Sequence, residues 1–157
     1  MINGAPIGRE LEKSPFASSI PYDEDEGSCM IVIATDAPLS NRNLKRMAKR
    51  VDHAFGRVGA YSSNGSGDYA IIFSTHKVNS ANGITITRKE IKNRHMNGLF
   101  MATVEATEEA IINSLFMAET ISSRKGTMEA LPVDKTIQIL KKYKSLHWNK
   151  KLYPWKK

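Results

Sequence analysis

The stretch EGSCMIVIATDAPL, Glu26 to Leu39, sets a continuous apolar, β-branched run directly behind a Gly-Ser pair. Cys29 to Ala34 read as a strand buried on both faces, since an unbroken apolar run rather than an alternating one fits a sheet covered on each side. Thr35-Asp36-Ala37-Pro38 breaks the run. The Gly27-Ser28 pair therefore places one hydroxyl at the strand's first position. If the Gly27–Ser28 peptide is cut, the freed α-amine of Ser28 can act as base for its own hydroxyl. Gly27, without a Cβ, can take the strained or left-handed backbone of a scissile peptide and leaves its carbonyl open to attack. Gly-Ser ahead of a strand is equally ordinary turn punctuation. On these residues alone both readings stay open.

Composition narrows the classes. A chain of 157 residues, 41% of them hydrophobic, suffices for one ordinary core and predicts one domain. There is no apolar stretch of membrane-spanning length, and MINGAPIGRELEK lacks the basic-then-apolar order of a secretory signal. The expectation is a cytoplasmic protein with no membrane contact. The single cysteine, Cys29, excludes an internal disulfide framework and offers no zinc spacing. One position along from Ser28 in a strand, its side chain faces the other way and reads as core packing. His53, His76, His95 and His147 fall in no metal-binding spacing, so neither a metal nor a cofactor is expected.

The net charge of +7 is local: residues 141 to 157 carry seven lysines and no acid, and taking those seven from the 23 bases leaves the rest balanced against 16 acids. That terminus, KKYKSLHWNKKLYPWKK, also holds Trp148 and Trp155. Basic residues between aromatics can bind a phosphate backbone. A solvated tail, or a strap packing its aromatics on a neighbour, is the favoured reading, and nucleic-acid binding is disfavoured.

Along the chain, Ser14 to Glu26 reads as an exposed linker with Pro15, Pro21 and the acidic cluster Asp23 to Glu26. Asn41 to Phe55 predicts one helix, with Leu44, Met47, Val51 and Phe55 on its apolar stripe and its basic residues on a solvated face. NGSGD, Asn64 to Asp68, is a glycine-rich turn leading into an apolar strand that ends at Thr75, which sets Ser66 and Asp68 at a strand entrance. Ile84 to Thr87 suggests a short strand. Phe100, Val104, Thr107, Ile111, Leu115 and Ala118 recur at spacings of three and four, predicting a long helix from about Gly98 to Ser122. Glu105, Glu108 and Glu109 cluster on it without a histidine in register, as a charged face or as salt-bridge partners. Asp134 to Tyr143 is the last expected helix.

Taken together, IVIATDAPLS (Ile31 to Ser40), LKRMAKR (Leu44 to Arg50), NGSGDYAIIFST (Asn64 to Thr75), VEATEEAIINSLFMAET (Val104 to Thr120) and ALPVD (Ala130 to Asp134) resemble the β-chain of a known family. This is the self-processing D-aminopeptidase and β-aminopeptidase family, whose founder is an L-aminopeptidase/D-Ala-esterase/amidase. INGAPIGREL, Ile2 to Leu11, looks like the end of that family's α-chain. The resemblance covers roughly residues 1 to 143, with the motifs in the family's order.

It implies N-terminal nucleophile hydrolysis. Ser28, six positions ahead of Ala34 in the ATD motif, matches the family's nucleophile, with self-cleavage between Gly27 and Ser28. Ser66 matches a second active-site serine, and Asp68 falls where the family has an acidic residue. Chemically, Ser66 can relay a proton while Asp68 orients the network. The Gly67 backbone N–H is a candidate oxyanion donor. The implied substrates are short peptides, amides or esters attacked at their N-terminal residue.

The implied fold is α/β, a layered αββα sandwich with helices outside two stacked sheets, of which this sequence matches the C-terminal part. Residues 1–27 correspond to the end of the α-chain and the linker, 28–143 to the catalytic β-chain, and 144–157 to a basic aromatic tail. Family precursors carry a long α-chain upstream that contributes sheet, pocket and an asparagine to the oxyanion hole, whereas about 27 residues precede Ser28 here. The expectation is a fragment, half of a split enzyme or a decayed copy, paired with a missing α-chain or with its own copies. The alternatives are a non-catalytic binding or assembly subunit using the basic tail, and an acyltransferase like the related ornithine acetyltransferases. The latter use threonine where this chain has Ser28.

Overall fold

Two apolar runs separated by a helical segment favour a parallel pairing, because parallel neighbours need a crossover between them. The computed structural model, which describes residues 1–11, 27–77, 89–124 and 126–146, has this arrangement. β1 (Met30–Thr35) and β2 (Tyr69–Ser74) pair in parallel, from Met30 opposite Tyr69 to Thr35 opposite Ser74. The Tyr69 N–H to Cys29 carbonyl bond, 2.9 Å, starts the ladder. The crossover contains α2 (Asn41–Ala48), which packs on β2, and α3 (Val51–Val58).

The single helix predicted over Asn41 to Phe55 is thus two. Lys49 and Arg50 take ψ near zero, and the Arg50 N–H turns to the Met47 carbonyl at 2.7 Å. The Arg46 carbonyl takes the Arg50 guanidinium instead, at 3.0 Å, so a side chain stands where a rung of the helix ladder would be. The apolar stripe survives, with Met47, Val51, Ala54 and Phe55 all buried and Leu44 half-buried. Gly59, left-handed at φ +95°, ends α3 with its N–H on the Phe55 carbonyl.

The expectation that β1 is buried on both faces does not hold in this chain. One face of the pair is half-buried, on the side of α2. The other presents Met30 (62% exposed), Val32 (64%), Tyr69 (65%), Ile71 (52%) and Phe73 (44%). Two strands and one layer of helix cover only one side of a sheet.

These elements belong to one compact unit, residues 20–111, and Met1–Ser19 with Ile112–Lys157 form a second, where composition predicts a single domain. The boundary falls inside α4 (Asn97–Met117). In the first unit α4 buries Thr103, Val104 and Thr107, the two threonine hydroxyls bonding carbonyls one turn back at 2.7 Å. Arg46 and Arg50 both lie over the Phe100 ring. Glu108 meets Arg57 at 2.8 Å, one of the two roles expected for the glutamate cluster.

The predicted helix to Ser122 is too long, for α4 stops at Met117. Ile121–Ser123 is instead β3, antiparallel to β4 (Gly126–Met128). β-Branched and hydroxyl residues favour extended backbone and local side-chain bonds. Here Thr120 Oγ1 accepts the Ala130 N–H at 3.0 Å, and Ser122 and Thr127 hydroxyls pair at 2.9 Å. In the same unit α1 (Ile7–Glu10) packs on α5 (Val133–Lys142), within a residue of the predicted ends of the last helix. Their core is Ala5, Ile7, Ile139 and Leu140. Glu10 accepts from Lys142 Nζ and Tyr143 Oη across that contact.

The linker Ser14 to Glu26, the strand suggested at Ile84 to Thr87, and the tail from His147 onward lie outside the described residues. None of the described helices is long and apolar enough to cross a membrane.

Candidate active site

The turn ahead of β2 is closed by the Ser66 N–H on the Ser63 carbonyl at 2.9 Å, with Asn64-Gly65 at its centre. It delivers Ser66, Gly67 and Asp68 to the start of β2, directly beside the start of β1, because the parallel register puts both strand beginnings at one end. Three bonds join the two segments or brace the turn. The Gly67 N–H donates to Ser28 Oγ at 3.1 Å. Asp68 Oδ1 accepts the Cys29 N–H at 2.8 Å, and its Oδ2 accepts the Ser66 hydroxyl at 2.7 Å.

The Ser66 and Asp68 side chains are therefore bonded to each other, and the Ser28 hydroxyl lies beside them on the Gly67 N–H, with Ser28 exposed and Ser66 and Asp68 half-buried. Hydrogen bonds from the Ser66 and Ser62 hydroxyls, reinforced by the Cys29 N–H, hold the Asp68 carboxyl below its usual range. It is ionised at neutral pH. Ser62, which sits at φ +51°, had no marker in the sequence beyond its nearness to NGSGD. Asp52, Phe55, Tyr61 and Ser62 join Ser66 and Asp68 around an open cleft of about 540 Å³ on α3 and this turn.

Gly27 is exposed, but it is not among the residues with left-handed backbone, and a Cβ there would meet nothing within 4 Å. Cys29 is half-buried, and burial, followed by the charge of Asp68, pushes its thiol pKa up, away from the nucleophilic thiolate. His53, His76 and His95 are exposed, and His147 lies outside the described residues. Among the described residues no three His, Cys, Asp or Glu side chains group as a metal site.

A parallel β pair whose two leading ends carry Ser28 and the Ser66–Asp68 turn is an α/β architecture with a hydroxyl–carboxylate site at the strand entrance. By sequence, Peptidase family S58 matches residues 1–129, and the chain belongs to that family. It is 38% identical over 158 residues to the beta-peptidyl aminopeptidase BapA of Sphingosinicella microcystinivorans, across 92% of this chain and 40% of that protein. By structure it is similar to the L-aminopeptidase D-Ala-esterase/amidase of Ochrobactrum anthropi, a prototype for the serine aminopeptidases and a new variant among the Ntn hydrolase fold. That similarity has a TM-score of 0.79 at 26% identity, over 94% of this chain and 40% of the other. A Burkholderia sp. beta-aminopeptidase matches with a TM-score of 0.73 at 30% identity, over 93% and 40% of the two chains. The family resemblance and the α/β fold expected from sequence are borne out. The chain spans about 40% of the length of these relatives.

Proposed function

We propose that this chain carries the nucleophile of an N-terminal nucleophile aminopeptidase, activated by cleavage between Gly27 and Ser28. The observation that carries the reading is that the turn bearing Ser66 and Asp68, themselves 2.7 Å apart, holds the Ser28 segment at two points, Gly67 N–H to Ser28 Oγ at 3.1 Å and Cys29 N–H to Asp68 at 2.8 Å.

In the activation step, Ser28 Oγ attacks the Gly27 carbonyl carbon. The Gly27–Ser28 C–N bond breaks, the Gly27 acyl group passes to Oγ as an ester, and the hydroxyl proton ends on the released Ser28 amine. Water then hydrolyses the ester, leaving a Gly27 carboxylate and a free Ser28 hydroxyl. In turnover the Ser28 amine takes the hydroxyl proton as Oγ attacks the substrate carbonyl and passes it to the departing amine, and water resolves the acyl-enzyme. Ser66 relays protons, and the ionised Asp68 holds Ser66 and the Cys29 amide in place. Cys29, its thiol pushed away from ionisation, takes no part.

The substrates are short peptides, amides or esters with a free N-terminal residue, and the names of the relatives extend this to β-peptides. Residues 1–27 form the α-chain end and linker, 28–143 the catalytic part and 144–157 an appended basic tail. The partner is an α-chain segment that covers the exposed face of Met30, Val32, Tyr69, Ile71 and Phe73 and completes the pocket.

Intact-mass spectrometry of the purified chain, alone and co-produced with a family α-chain, tests the reading. A species of the mass of Ser28 through Lys157, together with hydrolysis of an aminoacyl-p-nitroanilide, is expected. An uncut, inactive chain under both conditions would instead favour a non-catalytic subunit.

A further inference from the structure

We propose that the backbone N–H of Gly67 positions the Ser28 hydroxyl, and that the bare Cα of residue 67 reserves the space that hydroxyl occupies. The bond itself is 3.1 Å from Gly67 N to Ser28 Oγ. A Cβ on residue 67 would stand 3.3 Å from that same oxygen, so the hydroxyl would have to give way by a few tenths of an ångström, while 3.5 Å to Tyr69 Cε2 is ordinary contact. Gly67 does not have left-handed backbone. Glycine is favoured here by the approach of Ser28, not by torsion.

The surrounding bonds make the N–H a fixed reference point. Ser66, just before it, is tied to the Ser63 carbonyl and to Asp68, and Asp68, just after it, holds the amide that follows Ser28. Ser28 is consequently gripped twice from one turn, by its side-chain oxygen and by the next peptide. A donor on Oγ takes one lone pair and turns the hydroxyl proton away from the turn. It also favours the oxygen as negative charge builds during attack. Gly67 therefore serves the oxygen that attacks.

The contact between Gly67 and Ser28 stands on geometry, and its effect on rate rests on the hydrolase reading above. A double-mutant cycle separates the two. Gly67→Ala, Ser28→Ala and the double variant of the full chain are compared by thermal unfolding. The melting temperature lost in Gly67→Ala should be largely regained when Ser28 is also alanine, since the clashing oxygen is gone. Strictly additive shifts overturn the proposal. A second readout needs no substitution at 67: amide exchange of Gly67 in the wild type and in Ser28→Ala. Faster exchange in the variant is expected, and an unchanged rate overturns the proposal. Where the chain cleaves itself, Gly67→Ala should slow cleavage about 10-fold, short of the about 100-fold cost of a full ångström of misplacement. An unaltered rate again overturns the proposal. A wild type that never cleaves but keeps the coupling overturns the hydrolase reading and leaves the Gly67–Ser28 contact standing.

Discussion

Asp68 reaches across 39 positions of sequence to accept the Cys29 N–H at 2.8 Å, and so fixes the peptide that follows Ser28. The same carboxylate takes the Ser66 hydroxyl on its other oxygen, so one side chain braces both the segment bearing the proposed nucleophile and the proposed relay. Moving it disturbs both at once.

Ser28→Ala is expected to abolish cleavage at Gly27–Ser28 and all hydrolysis, while Cys29→Ala keeps most activity. The Cys29 contribution to the site is its backbone N–H, which alanine retains. Intact mass and an aminoacyl-p-nitroanilide assay decide it: a cleaved, active Ser28→Ala protein would remove Ser28 from the mechanism.

Ser66→Ala and Asp68→Asn should each lower turnover at least about 100-fold, the usual size of a general acid–base contribution. In Asp68→Asn the amide oxygen can still accept from Cys29 while the amide nitrogen cannot accept from Ser66. Its strand entrance should stay ordered while its rate falls. Wild-type turnover in both variants would return NGSGD to a plain turn.

The depressed pKa of Asp68 has a sign in stability. Its folded value lies below the ordinary value of 3.8, so its contribution is fully present above that pH and is lost as pH falls through the lower, folded value. Unfolding midpoints of wild type and Asp68→Asn, followed from pH 6 downward, should differ by a constant amount until about pH 4 and converge below it. A difference already shrinking between pH 6 and 5 would mean that the carboxyl is not depressed.

Met96 is 1% exposed and among the largest fully buried side chains. Met96→Ala should destabilise the unit of residues 20–111 by about 2–5 kcal/mol, the range for large-to-small changes in a packed interior. Urea unfolding with an unchanged slope gives the measurement.

Val32→Lys or Ile71→Lys should leave the secondary structure of the chain intact, since both side chains already face out at 64% and 52% exposure. Each should prevent co-elution with a family α-chain on size exclusion. Undiminished assembly would show that this sheet face is not where the partner sits.

The site was legible earlier than the architecture around it. Ser28, Ser66 and Asp68 could be named from the family's motifs, but Ser62 could not: only folding turns its hydroxyl onto the Asp68 carboxylate. The Gly67 N–H could be singled out from its place in the turn, but its contact with Ser28 Oγ arises only once the turn lies against β1. The apolar stripe of Leu44, Met47, Val51 and Phe55 pointed to one helix because its spacing runs on through Lys49 and Arg50. The break comes where the Arg50 N–H turns to the Met47 carbonyl, a local change that periodicity does not register. The hairpin of Ile121–Ser123 and Gly126–Met128 was hidden for a similar reason, since three-residue strands are too short to show a period.

What the sequence determined by itself is local: where the apolar runs lie, that Gly27-Ser28 and NGSGD stand at their leading ends, and that excess charge is confined to the last seventeen residues. These follow from interactions over a few neighbouring positions, which any stretch carries wherever it is placed. Tertiary structure decided which distant atoms meet. The parallel register of β1 and β2 aligns Met30 with Tyr69, and that single choice sets Gly67 on Ser28 and Asp68 on Cys29. A register slip of one residue would have turned each side chain to the opposite face and parted them. The same pairing left Val32 and Ile71 outward, because a sheet of two strands buries one face against its crossover helix and needs further chain to bury the other.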